Sequence, residues 1–141
     1  MKEVVKASEA IEWESPDGAP NHRYMSLMFE RDITPTKNMA AGIVTLPPGQ
    51  QQQKLSTHED GEEIYYILQG KGQFVLDDKI VDVEKDMAVY VAPGTRHRAI
   101  NTGDEDMKIY YVNCPSVFGT IGQYKEWMKN WKKVDTSDKA G

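Results

Sequence analysis

Glu62-Glu63-Ile64-Tyr65-Tyr66-Ile67-Leu68-Gln69-Gly70 decides the fold together with a second stretch, Val91-Ala92-Pro93-Gly94-Thr95-Arg96-His97. The first is a run of β-branched and aromatic residues that ends at a glycine. The second ends its apolar run at a Pro-Gly turn and brings in a histidine. Similar short segments recur on both sides, at 23–29, 39–45, 51–57, 73–76, 79–83, 87–91, 97–101 and 107–113. Turn signals separate them: Pro47-Pro48-Gly49, Gly70-Lys71-Gly72, Asp77-Asp78, Pro93-Gly94 and Gly103-Asp104. Strands of about five residues, with no helical pattern between them, predict an all-β antiparallel sandwich or barrel.

The ends of the chain break this rhythm. Residues 1–22 are polar and mixed, anchored by Val4, Val5, Ile11 and Trp13, and read as an N-terminal extension packing on a barrel of residues 23–117. Thr120 and Gln123 form a capping-box pattern, and Tyr124, Trp127, Met128 and Trp131 follow at helical spacing. They predict an amphipathic helix over 118–133, with a flexible tail over 134–141.

The chain has 141 residues, 39% hydrophobic and 28% charged, the balance of one globular domain with a real core. No apolar run approaches the ~20 residues of a spanning helix, so no membrane role is expected. Seventeen Lys+Arg against 22 Asp+Glu give a net charge of −5, which argues against a nucleic-acid partner. The basic run around Lys125, Lys129, Lys132 and Lys133 reads as a solvated helix face. The first 14 residues lack the apolar stretch of a secretory signal, and the single Cys114 has no disulfide partner in the chain. A cytoplasmic location is the expectation.

Three histidines occur, His22, His58 and His97. Four residues separate His58 from Glu63, six separate Glu63 from Gly70, and Asn101 lies four beyond His97. Together these stretches resemble the two signature motifs of the cupin superfamily, G-x5-H-x-H-x3/4-E-x6-G and G-x5-P-x-G-x2-H-x3-N. The resemblance runs from about residue 39 to 113 and points to a small single-domain cupin. It implies a cupin-type β-barrel, a double-stranded β-helix of jelly-roll kind, that binds a divalent metal ion: iron, manganese, nickel or zinc. It also implies a small-molecule substrate or ligand and a homodimer.

The chemistry of the residues agrees with that expectation. Alternate residues of each strand point into a small barrel, so ligands on neighbouring strands can meet around one ion. His58, Glu63 and His97 would supply two imidazoles and a carboxylate, a facial set that leaves positions open for water, substrate or dioxygen. Ser56 stands where the family has its first histidine, so the fourth protein ligand is missing. Strand parity adds Gln52, Lys54 and Ser56 on the side of His58, and Tyr65 on the side of Glu63, as substrate-binding candidates. Lys54 reads either as an anchor for an acidic substrate or as a solvent-facing residue after a register slip. Tyr65 reads as a hydrogen-bond donor or as packing. His22 reads as a surface residue that could complete the metal set if the N-terminal segment folds over the barrel mouth. No catalytic residue is assigned. A metal-dependent enzyme of dioxygenase, isomerase, decarboxylase or lyase type is the preferred expectation, and a non-catalytic sugar- or carboxylate-binding module is the alternative.

Overall fold

The computed structural model describes residues 2–29, 33–34, 36–52, 61–115 and 128–134. Among these residues ten strands run in order: β1 (Glu12–Glu14), β2 (Tyr24–Phe29), β3 (Ala40–Leu46), β4 (Glu62–Gln69), β5 (Lys71–Leu76), β6 (Lys79–Glu84), β7 (Ala88–Val91), β8 (His97–Asn101), β9 (Met107–Cys114) and β10 (Lys132–Lys133). Every pairing is antiparallel, and the strands form a seven-stranded sheet in the order β10-β1-β2-β3-β9-β4-β7 and a three-stranded sheet in the order β6-β5-β8. Gln51 bridges to Ile100, which brings the chain after the Pro-Pro-Gly turn alongside β8.

Period-two alternation drives this arrangement. Along β4, Glu63, Tyr65 and Ile67 are buried, while Glu62, Ile64, Tyr66 and Leu68 are exposed. On β9, Met107, Ile109, Tyr111 and Asn113 are buried in the same way. The inward residues of the larger sheet, among them Val44, Leu46, Ile67, Val91 and Ile109, meet Phe74, Val83 and Ala99 of the smaller one in a single core. Removing that apolar surface from water is the main stabilising term, at roughly 25 cal/mol per Å².

Turn chemistry sets the corners. Gly70 joins β4 of one sheet to β5 of the other at φ +82°, and a Cβ there would meet the Asp106 carbonyl oxygen at 2.9 Å. The sequence places a turn over Gly70-Lys71-Gly72, yet Lys71 and Gly72 already belong to β5. The corner is tighter because Gly72 lets β5 close on the Ile100 carbonyl, which a Cβ at position 72 would approach to 2.1 Å. Asn101 braces the other end: its buried Nδ2 donates to the carbonyls of Leu46 (2.7 Å) and Glu105 (2.8 Å), and its Oδ1 accepts from the Gly103 N–H (2.9 Å).

The helix expected over 118–133 is not supported. The described residues contain no α-helix, and those of this stretch, from Met128, form a turn followed by β10. Strand β1 offers an open edge, which Lys132 and Lys133 fill by pairing with Glu14 and Trp13. Met128 and Trp131 are buried as their spacing suggested, but in a second apolar cluster with Leu27 and Ala40. The Arg23 guanidinium lies 4.9 Å from the centre of the Trp131 ring, and the Lys133 amine lies 5.4 Å from that of Trp13. Residues 118–127 and the tail from 135 fall outside the described residues. No helix among the described residues is long and apolar enough to cross a membrane.

Candidate metal and ligand site

Glu63 and His97 enter the core from opposite sheets. β4 turns the Glu63 carboxylate inward between Val91 of β7 and Asn113 of β9, and β8 turns His97 inward beside Leu76 of β5. Both are almost completely buried, at 4% and 2% exposure, beside a mostly apolar core. Burying such groups is costly unless they are partnered, so their place in the core demands a reason.

Their contacts supply one. His97 Nδ1 lies 3.0 Å from the Thr95 carbonyl oxygen, a contact in which the ring nitrogen must donate. In the neutral ring Nε2 therefore carries the lone pair, and it lies 3.8 Å from Glu63 Oε2. That is too long for a direct hydrogen bond, and a little longer than the roughly 3.0–3.4 Å between two donors that share one small divalent ion at about 2.1 Å. A backbone carbonyl on the far nitrogen is the support that metal-ligating histidines commonly have. The Tyr65 hydroxyl donates to Glu63 Oε2, which fixes the carboxylate and leaves it further lone pairs. Burial first, and then the Glu63 charge, raises the Tyr65 hydroxyl well above the usual tyrosine value. Tyr65 is thus held as a neutral donor.

Gln52 joins this group from the smaller sheet's side. Its Oε1 accepts the Ala99 N–H at 2.9 Å, and its side chain also hydrogen-bonds Tyr65. Tyr65 packs 5.1 Å from Phe74 and 5.9 Å from the His97 ring, centre to centre. Of the predicted set, the structure therefore brings together Glu63, His97, Tyr65 and Gln52. Lys54, Ser56 and His58 lie outside the described residues. Among the described residues no group of three His, Cys, Asp or Glu side chains is placed to hold a metal ion. The acid–imidazole pair nevertheless fits one: two buried donors face each other, with the imidazole tautomer fixed from behind.

His22 does not join them. Its Nε2 pairs with Glu14 Oε2 at 2.8 Å, and its ring lies tilted to that of Tyr24, 5.1 Å away centre to centre; the Tyr24 hydroxyl also donates to Glu14. Arg96 is exposed on its turn, and Cys114 is half-buried at the end of β9. Sequence reasoning missed Tyr111 and Asn113, which face inward directly across from Tyr65 and Glu63. Strand parity carried forward from Ile109 would have found both. Gly42, opposite Tyr111, makes room for that ring, since a Cβ there would meet the Tyr111 hydroxyl at 2.7 Å.

Two sheets closed on one core, with a buried carboxylate and imidazole converging inside it, define a small β-barrel with polar groups at its centre. The cupin domain family matches residues 42–113, and the chain belongs to that family. It is similar to the oxalate-binding protein of Thermotoga maritima, 31% identical over 115 residues that cover 77% of this chain and 91% of that protein. A stretch of 70 residues is 39% identical to glucose-6-phosphate isomerase of Thermococcus onnurineus, covering 44% of this chain and 37% of the isomerase. The chain spans about half or less of the length of the first curated relatives it matches, 49% and 37%. Among solved structures, a predicted oxalate decarboxylase from Thermotoga maritima superposes with a TM-score of 0.72 at 27% identity, over 79% of this chain and 98% of that one.

Proposed function

We propose that this chain is a metal-binding cupin whose barrel holds a divalent ion on Glu63 and His97, with His58 as the third protein ligand, and acts on a small oxygenated or acidic metabolite. The observation that carries this reading is the buried Glu63–His97 pair, with His97 Nδ1 committed to the Thr95 carbonyl. An ion bound there would polarise a substrate oxygen as a Lewis acid. The protein's own groups do the rest. Tyr65 orients the carboxylate and stays protonated. Gln52 and Tyr65 present polar atoms to a ligand against the apolar wall of Phe74. The packed core excludes bulk water, which strengthens each of these contacts.

An enzyme of dioxygenase, isomerase, decarboxylase or lyase type is the preferred form. The name of the oxalate-binding relative, which this chain matches over most of both lengths, favours a second form: capture of a small carboxylate without turnover. Iron, manganese, nickel and zinc all suit the donor set. A homodimer belongs to the same proposal, as does a cytoplasmic location, with which a lone cysteine agrees. Residues 1–22 form the extension on the barrel of residues 23–117.

The two forms separate by incubating metal-loaded protein with oxalate and with sugar phosphates, and following heat of binding and product by mass spectrometry. Product formation that is lost in His97→Ala supports the enzyme. Saturable binding with unchanged ligand supports the binding module. Neither binding nor turnover across both ligand classes contradicts the proposed substrate chemistry.

A further inference from the structure

A glutamine amide has one end that accepts hydrogen bonds and one that donates, and its surroundings decide which way it faces. For Gln52 the decision comes from Ala99. The Gln52 backbone N–H donates to the Ala99 carbonyl at 3.1 Å, and the Ala99 N–H donates back to Gln52 Oε1 at 2.9 Å. This clamp of two bonds commits the amide oxygen to β8, two residues beyond His97. The amide nitrogen is then the end that meets Tyr65. Burial and Glu63 raise the Tyr65 hydroxyl, and the Gln52 bond acts the other way, as a donor facing the oxygen does. With a donor on that side, the single phenol proton goes to Glu63 Oε2.

We propose that Gln52 is a positioning residue: its amide, aimed by Ala99, turns the Tyr65 proton onto Glu63 and so sets the carboxylate that receives the metal. The bonds run in one direction, from the Ala99 N–H to Gln52, from Gln52 to Tyr65 and from Tyr65 to Glu63. In a buried setting each link polarises the next. The chain starts on β8, the strand of His97, and ends on β4, the strand of Glu63, so it ties the two sheets together at the level of the site. This role rests on the metal site of the proposed function for its consequence, whereas the direction of the bonds belongs to the metal-free protein as well. Two substitutions separate direction from packing. Gln52→Glu keeps an oxygen for the Ala99 N–H but turns a second acceptor toward Tyr65, so two carboxylates compete for one proton. Gln52→Met keeps the length of the side chain, removes the acceptor for the Ala99 N–H, and offers Tyr65 no rival to Glu63.

Infrared spectra of the metal-free protein test the direction, with the Glu63 carboxylate band identified in each background as the one lost on Glu63→Gln. Tyr65→Phe supplies the shift that marks loss of the phenol donor. Gln52→Glu is expected to reproduce most of that shift, and to add nothing to it when Tyr65→Phe is already present. Gln52→Met is expected to leave the band in place while lowering the urea midpoint. A Glu63 band unmoved by Gln52→Glu overturns the proposal, and so does one that Gln52→Met moves as far. If Gln52→Glu fails to fold, amide spectra of the Tyr65→Phe protein decide: the Gln52 side-chain and Ala99 backbone N–H signals are expected to shift, and unmoved signals overturn the proposal. Competition against a chelating dye reads the consequence. Gln52→Glu should weaken metal binding about tenfold, and by less than about twofold in the Tyr65→Phe background. Equal losses in the two backgrounds overturn the positioning role. Wild-type protein that shows the expected bands but binds no metal supports the direction of the bonds and counts against the metal site alone.

Discussion

The two sides of β4 invert the usual rule in opposite directions. Its inward side carries a carboxylate and a phenol, Glu63 and Tyr65, into an apolar core, while its outward side presents Ile64, Tyr66 and Leu68 to water. Neither pattern lowers the energy of an isolated barrel. A core without a ligand gains by filling position 63 with an apolar residue, and a free surface gains by placing polar residues at 64 and 66. In the proposed function the inward side serves a metal and a small ligand, while the outward side faces solvent. An eight-residue strand can serve both because its side-chain period is two.

Substitutions on either side can break or sharpen this contrast. Ile67→Ala, on the inward side at zero exposure, is expected to cost about 2–5 kcal/mol, whereas Ile64→Ala should shift the stability of the isolated chain by no more than about 0.5 kcal/mol. Urea unfolding of dilute protein checks both, and equal losses would erase the distinction between the faces. Gly42→Ala comes next. Its Cβ would meet the Ser26 carbonyl at 2.2 Å and the Tyr111 hydroxyl at 2.7 Å, so a loss of about 1–3 kcal/mol and a displaced Tyr111 are expected. A crystal structure of that variant with Tyr111 unmoved would contradict the close fit.

Tyr65→Phe removes the donor to Glu63 and should weaken metal affinity about tenfold, while Tyr66→Phe, one residue on, should leave it within about twofold. Competition against a chelating dye measures both. The smallest effect concerns Tyr110, whose hydroxyl burial holds above the ordinary value of 10.0. The folded chain then keeps that proton more tightly than the unfolded one. Its contribution to stability is complete below pH 10 and is lost as pH rises past 10 toward the folded value. Tyr110→Phe should flatten the alkaline fall above about pH 10 in urea titrations; an unchanged slope would assign that fall to other groups, such as Tyr24.

The strands were legible because each carries a period-two pattern closed by residues with a turn preference, Asp77-Asp78 and Pro93-Gly94 among them. Expected and observed edges differ by no more than two residues at β4, β8 and β9. The C-terminal segment was not legible, for a physical reason. The spacing of Met128 and Trp131 reports that both are buried, but not the backbone that buries them. The edge of β1, paired with Lys132 and Lys133, decides that, and a non-local partner leaves no local pattern. In the site, Glu63, His97, Tyr65 and Gln52 followed from motif and parity. Tyr111 and Asn113 were missed because β9 bears no motif, although its parity is as regular as that of β4.

The central claim is that the Glu63–His97 pair holds a metal ion, and metal content tests it most directly. Protein purified without oxygen, loaded in turn with iron, manganese, nickel and zinc and then dialysed, should retain about one equivalent of at least one of them. His97→Ala and Glu63→Gln should each fall below about a tenth of an equivalent under the same treatment. Wild-type protein that retains less than about a tenth of an equivalent of all four metals would contradict the account.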